Sequence, residues 1–238
     1  MPGRAAVFDR ASLLAKEHFM IRWAGCAAVV GIGLLLASCR LIATADIPRL
    51  AHAGDPNSGG TFDPDKMVAS IWSTKVVPYF EKKAGPLKEV RELAAKSSDE
   101  AGVKFGYRAK SEDTPWTLLV RFDGVIVAAD TESRASTIGV DTSGQGKADA
   151  IVQIGPAMRG TAIRDALDFV SFGDFTNQID FARYGKAFNT YVNQTTLEKL
   201  PRDSLVGRKV SVTGAYPFVS AAETPVVTPV EISTGPKP

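Results

Sequence analysis

The sequence predicts an α+β body built on a five-stranded antiparallel barrel with one long helix inserted between strands three and four. Three β-rich runs come first, at residues 116–130 (WTLLVRFDGVIVAAD), 136–141 and 148–155 (ADAIVQIG). A helical stretch follows from 174 to about 200, and two more strands lie at 206–216 and 224–233. The apolar period changes from helical to alternating after Pro115, which sets this body apart from an N-terminal helical appendage.

Residues 23–37 carry no charge, follow Arg22 and lead into Leu36-Ala37-Ser38-Cys39. A short apolar run between a basic residue and small residues reads as an export signal, being too short to span a bilayer comfortably. The Leu-Ala-Ser-Cys ending resembles the lipobox of bacterial lipoproteins. That resemblance implies that the Cys39 thiol takes the lipid and that the chain is cut just before it. Residues 1–38 are then the signal peptide and 39–61 a lipidated tether. Asp9 and Glu17 make the first 19 residues long and acidic for an n-region, so Met20 is the tidier start. Arg40 stands where an Asp would retain a lipoprotein in the inner membrane under enterobacterial sorting rules, which tilts the expectation toward the outer membrane. The cluster Gly54-Asp55-Pro56-Asn57-Ser58-Gly59-Gly60 is a flexible linker by composition.

The appendage is assigned to residues 62–110 and the barrel domain to 111–238. Asp63-Pro64-Asp65 supplies an N-cap, a proline at the first helical position and an acidic first turn. Met67, Ile71 and Trp72 follow at helical spacing, and Pro78 is expected to stop the helix. Gly85-Pro86 restarts one whose stripe is Leu87, Val90, Leu93 and Ala94. Trp72 on such a stripe is a core residue. In the barrel, Asp123-Gly124 makes the first run either a hairpin or one long bent strand. Ser143-Gly144-Gln145-Gly146 is a turn, and the prolines of 224–233 suit an edge strand. In the long helix, Phe175, Ile179, Phe181, Ala182, Tyr184, Phe188 and Val192 supply the apolar faces.

Three strands, a helix and two strands is the order of the OB-fold, a Greek-key barrel. The 206–214 strand, Val-Gly-Arg-Lys-Val-Ser-Val-Thr-Gly, is also similar to a recurring strand of OB-like extracytoplasmic domains. An open antiparallel sheet in an α+β domain is the alternative.

Composition removes whole classes of chemistry. Four basic and two acidic residues lie in the first 38, so the whole-chain 28 basic and 26 acidic residues reduce to a balanced remainder. A nucleic-acid binder carries a basic excess, and this chain does not. Its cysteines are Cys26 and Cys39, and its histidines are His18 and His52, all ahead of the body. Cysteine nucleophiles, Ser-His-Asp triads, disulfides and nitrogen- or sulfur-ligated zinc are thereby excluded from the body, and no cofactor is expected. Carboxylate chemistry and arginine or amide recognition remain.

The densest polar grouping runs from Gln153-Ile154-Gly155-Pro156 through Arg159-Gly160-Thr161 and Arg164-Asp165 to Phe172-Gly173-Asp174-Phe175-Thr176-Asn177-Gln178. Arginine forks and amides bond hydroxyls or carboxylates while rings cover apolar faces, so Arg159, Arg164, Asp165, Asn177 and Gln178 are candidate ligands for a small polyol or sugar acid. The competing reading is structural: Arg164 and Asp165 pair within the fold, and Asp174 caps the helix. Asp165 and Asp168, three apart, would share a helical face as a glycosidase pair does.

At these same residues the chain resembles a family of predicted periplasmic lipoproteins known as domain of unknown function 2291. The resemblance rests on Ile71-Trp72 with Lys75-Val76-Val77-Pro78, Ser133-Arg134, Gln153-Ile154-Gly155-Pro156, Arg159-Gly160-Thr161-Ala162 and Arg164-Asp165-Ala166. Phe172, Asp174-Phe175, Asn177-Gln178, the Gly207 strand and Thr228-Pro229-Val230 complete it. It implies an envelope location and, loosely, genes beside sugar ABC-transporter operons, and it supplies no reaction. The expected function is a non-enzymatic, membrane-anchored accessory that binds a small polar ligand or an ABC-transporter component. A structural interaction module and a carboxylate-based glycan hydrolase are the rivals.

Overall fold

A computed structural model describes residues 62–109 and 114–236; Cys39 and the 39–61 tether lie outside them. Asp63 caps the first helix, α1 (Pro64–Ile71), by accepting the Lys66 N–H at 3.1 Å. Pro78 does not end this helical run as its position predicts. The chain widens into a π turn over Trp72–Val76, and Pro78 falls in the first turn of α2 (Val77–Lys83), where no backbone donor is needed.

Gly85–Pro86 forms a short strand, β1, before α3 (Leu87–Lys96). A further helix, α4 (Ser98–Phe105), follows under a Ser97 cap. The sequence pattern alone did not separate α4 from its neighbour, because a single extended residue, Ser97, divides the two. Strand β2 (Gly106–Tyr107) then leads toward the barrel.

The barrel consists of β3 (Thr117–Asp130), β4 (Thr137–Asp141), β5 (Ala150–Gln153), β6 (Lys209–Pro217) and β7 (Val226–Thr234). Its order is β3-β4-β5-β7-β6, closed by β6 pairing back on β3. Every seam is antiparallel except β5–β7, which is parallel at Ile151↔Val226 and Val152↔Val227. Asp123-Gly124 is not a hairpin turn but the barrel's corner. The first part of β3 pairs with β6, from Thr117↔Pro217 to Val125↔Lys209, and the remainder pairs with β4 from Val125↔Asp141 onward. A Cβ on Gly124 would stand 2.5 Å from the Asp141 carbonyl oxygen, so only glycine lets the strands cross this closely.

The last strand is not an edge strand. β7 lies between β5 and β6, and Pro229 sits beside a register shift between Thr213 and Gly214, where a missing N–H breaks no regular ladder.

The long helix, α6, runs over Gln178–Thr195, starting later than its apolar pattern suggests. Asn177 caps it, accepting the Asp180 N–H at 2.9 Å, while Asp174 closes a separate 3-10 turn through the Ser171 N–H. Its buried face is Tyr184, Ala187, Phe188 and Val192, and it packs on α1, on the short helix α5 (Ala162–Asp165) and on β7. Phe188 is fully buried, with Tyr184 at 4.9 Å and Trp72 at 6.4 Å between ring centroids. Trp72 is a core residue. Burying each such ring contributes about 1.5–3 kcal/mol, and these rings join helices and barrel in one apolar cluster.

Candidate functional site

A polar-lined concavity lies where α3 faces the β4–β5 connection. Asp141 ends β4 and is buried, and its carboxylate organises that connection. Oδ1 accepts from the N–H of Ser143 at 3.0 Å, of Gly144 at 2.7 Å and of Gln145 at 3.2 Å, and from the Ser143 hydroxyl at 3.0 Å. Oδ2 accepts from the Gly146 N–H at 2.5 Å. Pointing so many N–H groups at one carboxylate requires left-handed backbone, supplied by Gly144 and Gly146 at φ +75 each. Burial pushes the Asp141 carboxyl up, but these donors outweigh it and hold the group below its ordinary range. Across the loop, Asp149 accepts from Thr142, N–H at 3.0 Å and hydroxyl at 2.9 Å.

This hydrogen-bonded loop and α3 flank a groove of 690 Å³. Lys88, Arg91 and Glu92 line one wall; Thr142, Ser143, Gln145 and Asp149 line the other. Arg91 spans toward the Asp149 carbonyl at 3.4 Å. A guanidinium, an ammonium, a carboxylate, an amide and hydroxyls therefore face one volume. That donor set suits a small polar molecule. No cluster of three or more acidic, histidine or cysteine side chains able to hold a metal occurs among the described residues.

A second groove, of 420 Å³, runs beside the π turn between Trp72, Val77 and Thr196 and the outer face of β6 and β7. Glu231 lies in it, its carboxyl raised by burial and then by the neighbouring Glu81.

Among the described residues, none of those singled out by the polar grouping lines either groove. Arg164 is a brace: Nε and Nη2 fork onto Asp165 Oδ1 at 2.8 and 2.6 Å, Nη2 also donates to the Thr161 hydroxyl at 3.1 Å, and Nη1 donates to the Phe181 carbonyl at 3.0 Å. Asp165 is held by this fork and by the Thr161 hydroxyl at 2.6 Å. Asn177 is occupied as the α6 cap. Arg159 and Gln178 are exposed. The Gln153 side chain clamps the Arg159 backbone, accepting its N–H at 2.7 Å and donating to its carbonyl at 3.1 Å. Asp165 and Asp168 do not share a helical face, because α5 ends at Asp165. Gly155 is also structural: a Cβ there would meet the Arg134 carbonyl oxygen at 2.3 Å.

Residues 29–233 match the family described as "Predicted periplasmic lipoprotein (DUF2291)". The chain belongs to this family. This DUF2291 lipoprotein is therefore anchored to a membrane by lipid, on the periplasmic side. Its fold is similar to that of an OB-fold protein from Thermotoga maritima known from a crystal structure. The TM-score is 0.58 at 17% identity, over 73% of this chain and 99% of that one. No curated protein matches the chain.

In the lipoprotein, the groove residues Lys88, Arg91 and Gln145 escaped the sequence reading. The signal that pointed toward them was the turn Ser143-Gly144-Gln145-Gly146 between two aspartates. Its partner wall is a helix some fifty residues upstream, and local pattern does not report such a pairing.

Proposed function

We propose that this lipoprotein is a non-enzymatic, membrane-tethered accessory of the envelope that takes a small polar ligand, of the sugar or sugar-acid class, in the groove between α3 and the 142–149 loop. The observation that carries this reading is the groove itself, in which Arg91, Lys88 and Glu92 face a loop pre-shaped by Asp141. Preorganised donors lose little entropy when a ligand arrives. The guanidinium and amide suit a carboxylate or vicinal hydroxyls. Delivery to an ABC-transporter component is the role that fits a tethered binder of this kind.

The test is a thermal-shift screen of the lipoprotein against monosaccharides and hexuronic acids. A ligand at about a hundredfold excess over its Kd stabilises by about 2.7 kcal/mol, a rise of about 5–10 °C for a body of this size. Arg91→Ala should abolish that rise while leaving the unliganded melting temperature nearly unchanged. A hit whose shift survives Arg91→Ala and Gln145→Ala places binding elsewhere, and the absence of any hit removes the sugar-class reading.

A further inference from the structure

A run of exposed apolar side chains lies where the body meets its tether. Phe169 is 40% exposed, Phe172 50% and Ile179 65%, all between α5 and the first turn of α6. They are continuous with the first described residue of the body. The Phe62 ring packs edge-on against Phe175 at 6.2 Å, Phe175 packs on Phe181 at 5.3 Å, and Phe181 meets Phe172 edge-on at 5.5 Å. The aromatic ladder thus leads from the end of the tether to an exposed ring.

We infer that the 169–179 segment is the membrane-facing surface of the lipoprotein, with Phe172, Ile179 and Phe169 entering the bilayer that holds its lipid. The inference rests on lipid anchoring upstream of Phe62. From Cys39, a fully extended chain reaches at most about 80 Å to Phe62, so the bilayer is always at high effective concentration beside the body. The point of the body tied most directly to that chain is Phe62, and the exposed Phe172 ring belongs to its own aromatic cluster, while Phe169 packs edge-on against Tyr79 at 5.6 Å.

Charge does not oppose the contact. Asp168, Asp174 and Asp180 flank the rings; exposed Asp174 accepts the Ser171 N–H at 2.8 Å, and Asp180 pairs with Arg183 at 3.8 Å. Arg183 and Lys186 follow on the next turns of α6. The balance makes the contact apolar rather than electrostatic, so it holds at high salt and on neutral lipid. Gln178, exposed beside Ile179, is placed to meet headgroups.

The test uses the mature lipoprotein reconstituted in phosphatidylcholine vesicles, with a nitroxide on Phe172→Cys or Ile179→Cys. Val103→Cys and Val219→Cys, at positions 72% and 69% exposed, serve as controls. Flotation with the vesicles checks anchoring separately from loop position. Accessibility to lipid-dissolved oxygen relative to an aqueous nickel complex should be several-fold higher at 172 and 179 than at 103 and 219, with no change at high salt. Water-like accessibility at all four positions overturns the inference and leaves the segment to a protein partner. Lipid-like accessibility at all four overturns it too, since no single face then docks. If a label lowers the melting temperature, bromolipid quenching of Phe172→Trp gives the same readout with a native-like ring.

Discussion

The Arg164 guanidinium lies 3.7 Å over the Phe181 ring and donates, through Nη1, to the backbone carbonyl of that same residue at 3.0 Å. One side chain therefore ties α5 to α6 by stacking and by hydrogen bonding, with Asp165 and Thr161 taking its other donors. Its side chain is 11% exposed, against 39% for Asp165, so removing the cation costs the helix junction more than it frees. Arg164→Ala should lower stability by about 2–4 kcal/mol in urea unfolding. Arg164→Lys should recover little, since an ammonium cannot reproduce the fork. Arg159→Ala should stay within about 0.5 kcal/mol. Equal losses at the two arginines would contradict this division of roles.

Gly185 makes room for that brace. A Cβ at 185 would stand 2.7 Å from the Thr161 methyl and 2.9 Å from Arg164 Nη1. Helix propensity alone favours Gly185→Ala by about 1 kcal/mol. Overpacking against a pinned guanidinium should reverse the sign, to a net loss of about 1–3 kcal/mol. In an Arg164→Ala background the same substitution should cost distinctly less, and a double-mutant cycle reads that coupling. Strict additivity would mean the two do not share space.

Phe188 is the buried centre of α6. Phe188→Ala removes its contacts with Tyr184 and Trp72 and should cost about 3–5 kcal/mol in the same assay. A loss under about 1 kcal/mol would place the residue at the surface.

Two carboxylates should give stability opposite responses to acid. Asp141 ionises below its ordinary 3.8 in the folded state, so its contribution is complete at neutral pH and fades as pH falls through 3.8 toward the folded value. Asp141→Asn should lower stability at pH 7 and flatten the acid limb. Glu231 is raised above its ordinary 4.5 by burial and then by Glu81, so its ionisation opposes folding above that raised value. Glu231→Gln should therefore stabilise at pH 7 and give no gain below 4.5. Urea midpoints collected from pH 7 downward distinguish the two slopes, and parallel curves for both variants would refute the assignment.

We propose that the lipid is carried by Cys39, as the Leu36-Ala37-Ser38-Cys39 ending implies. Cys39→Ser removes the acceptor thiol, so palmitate labelling should vanish and lipoprotein-type cleavage should slow or stop. Unchanged labelling, with normal recovery in the membrane fraction, would move the anchor to another residue.

Local sequence carried the order of the elements. Alternation marked 206–216 as a strand, helical spacing marked Tyr184, Phe188 and Val192 as one face, and Asp63 before Pro64 marked the start of α1. These signals are legible because strand alternation, helical pitch and capping act over a few residues. The missing body histidines and cysteines are likewise a property of the string alone. Tertiary structure decided what those elements do to one another. Asp123-Gly124 is a corner rather than a hairpin only because Asp141 passes within 2.5 Å of where a Cβ would be. Pro229 is interior rather than at an edge because β5 and β6 close around β7. Arg164 is engaged inside the fold because the Phe181 carbonyl, 17 residues on, reaches it. Arg91 instead opens onto a groove whose far wall, at Asp149, lies 58 residues away. A polar side chain becomes a brace or a ligand according to which partners folding brings within 3 Å or so of it, and that distance is set by the packing of elements far apart in the chain.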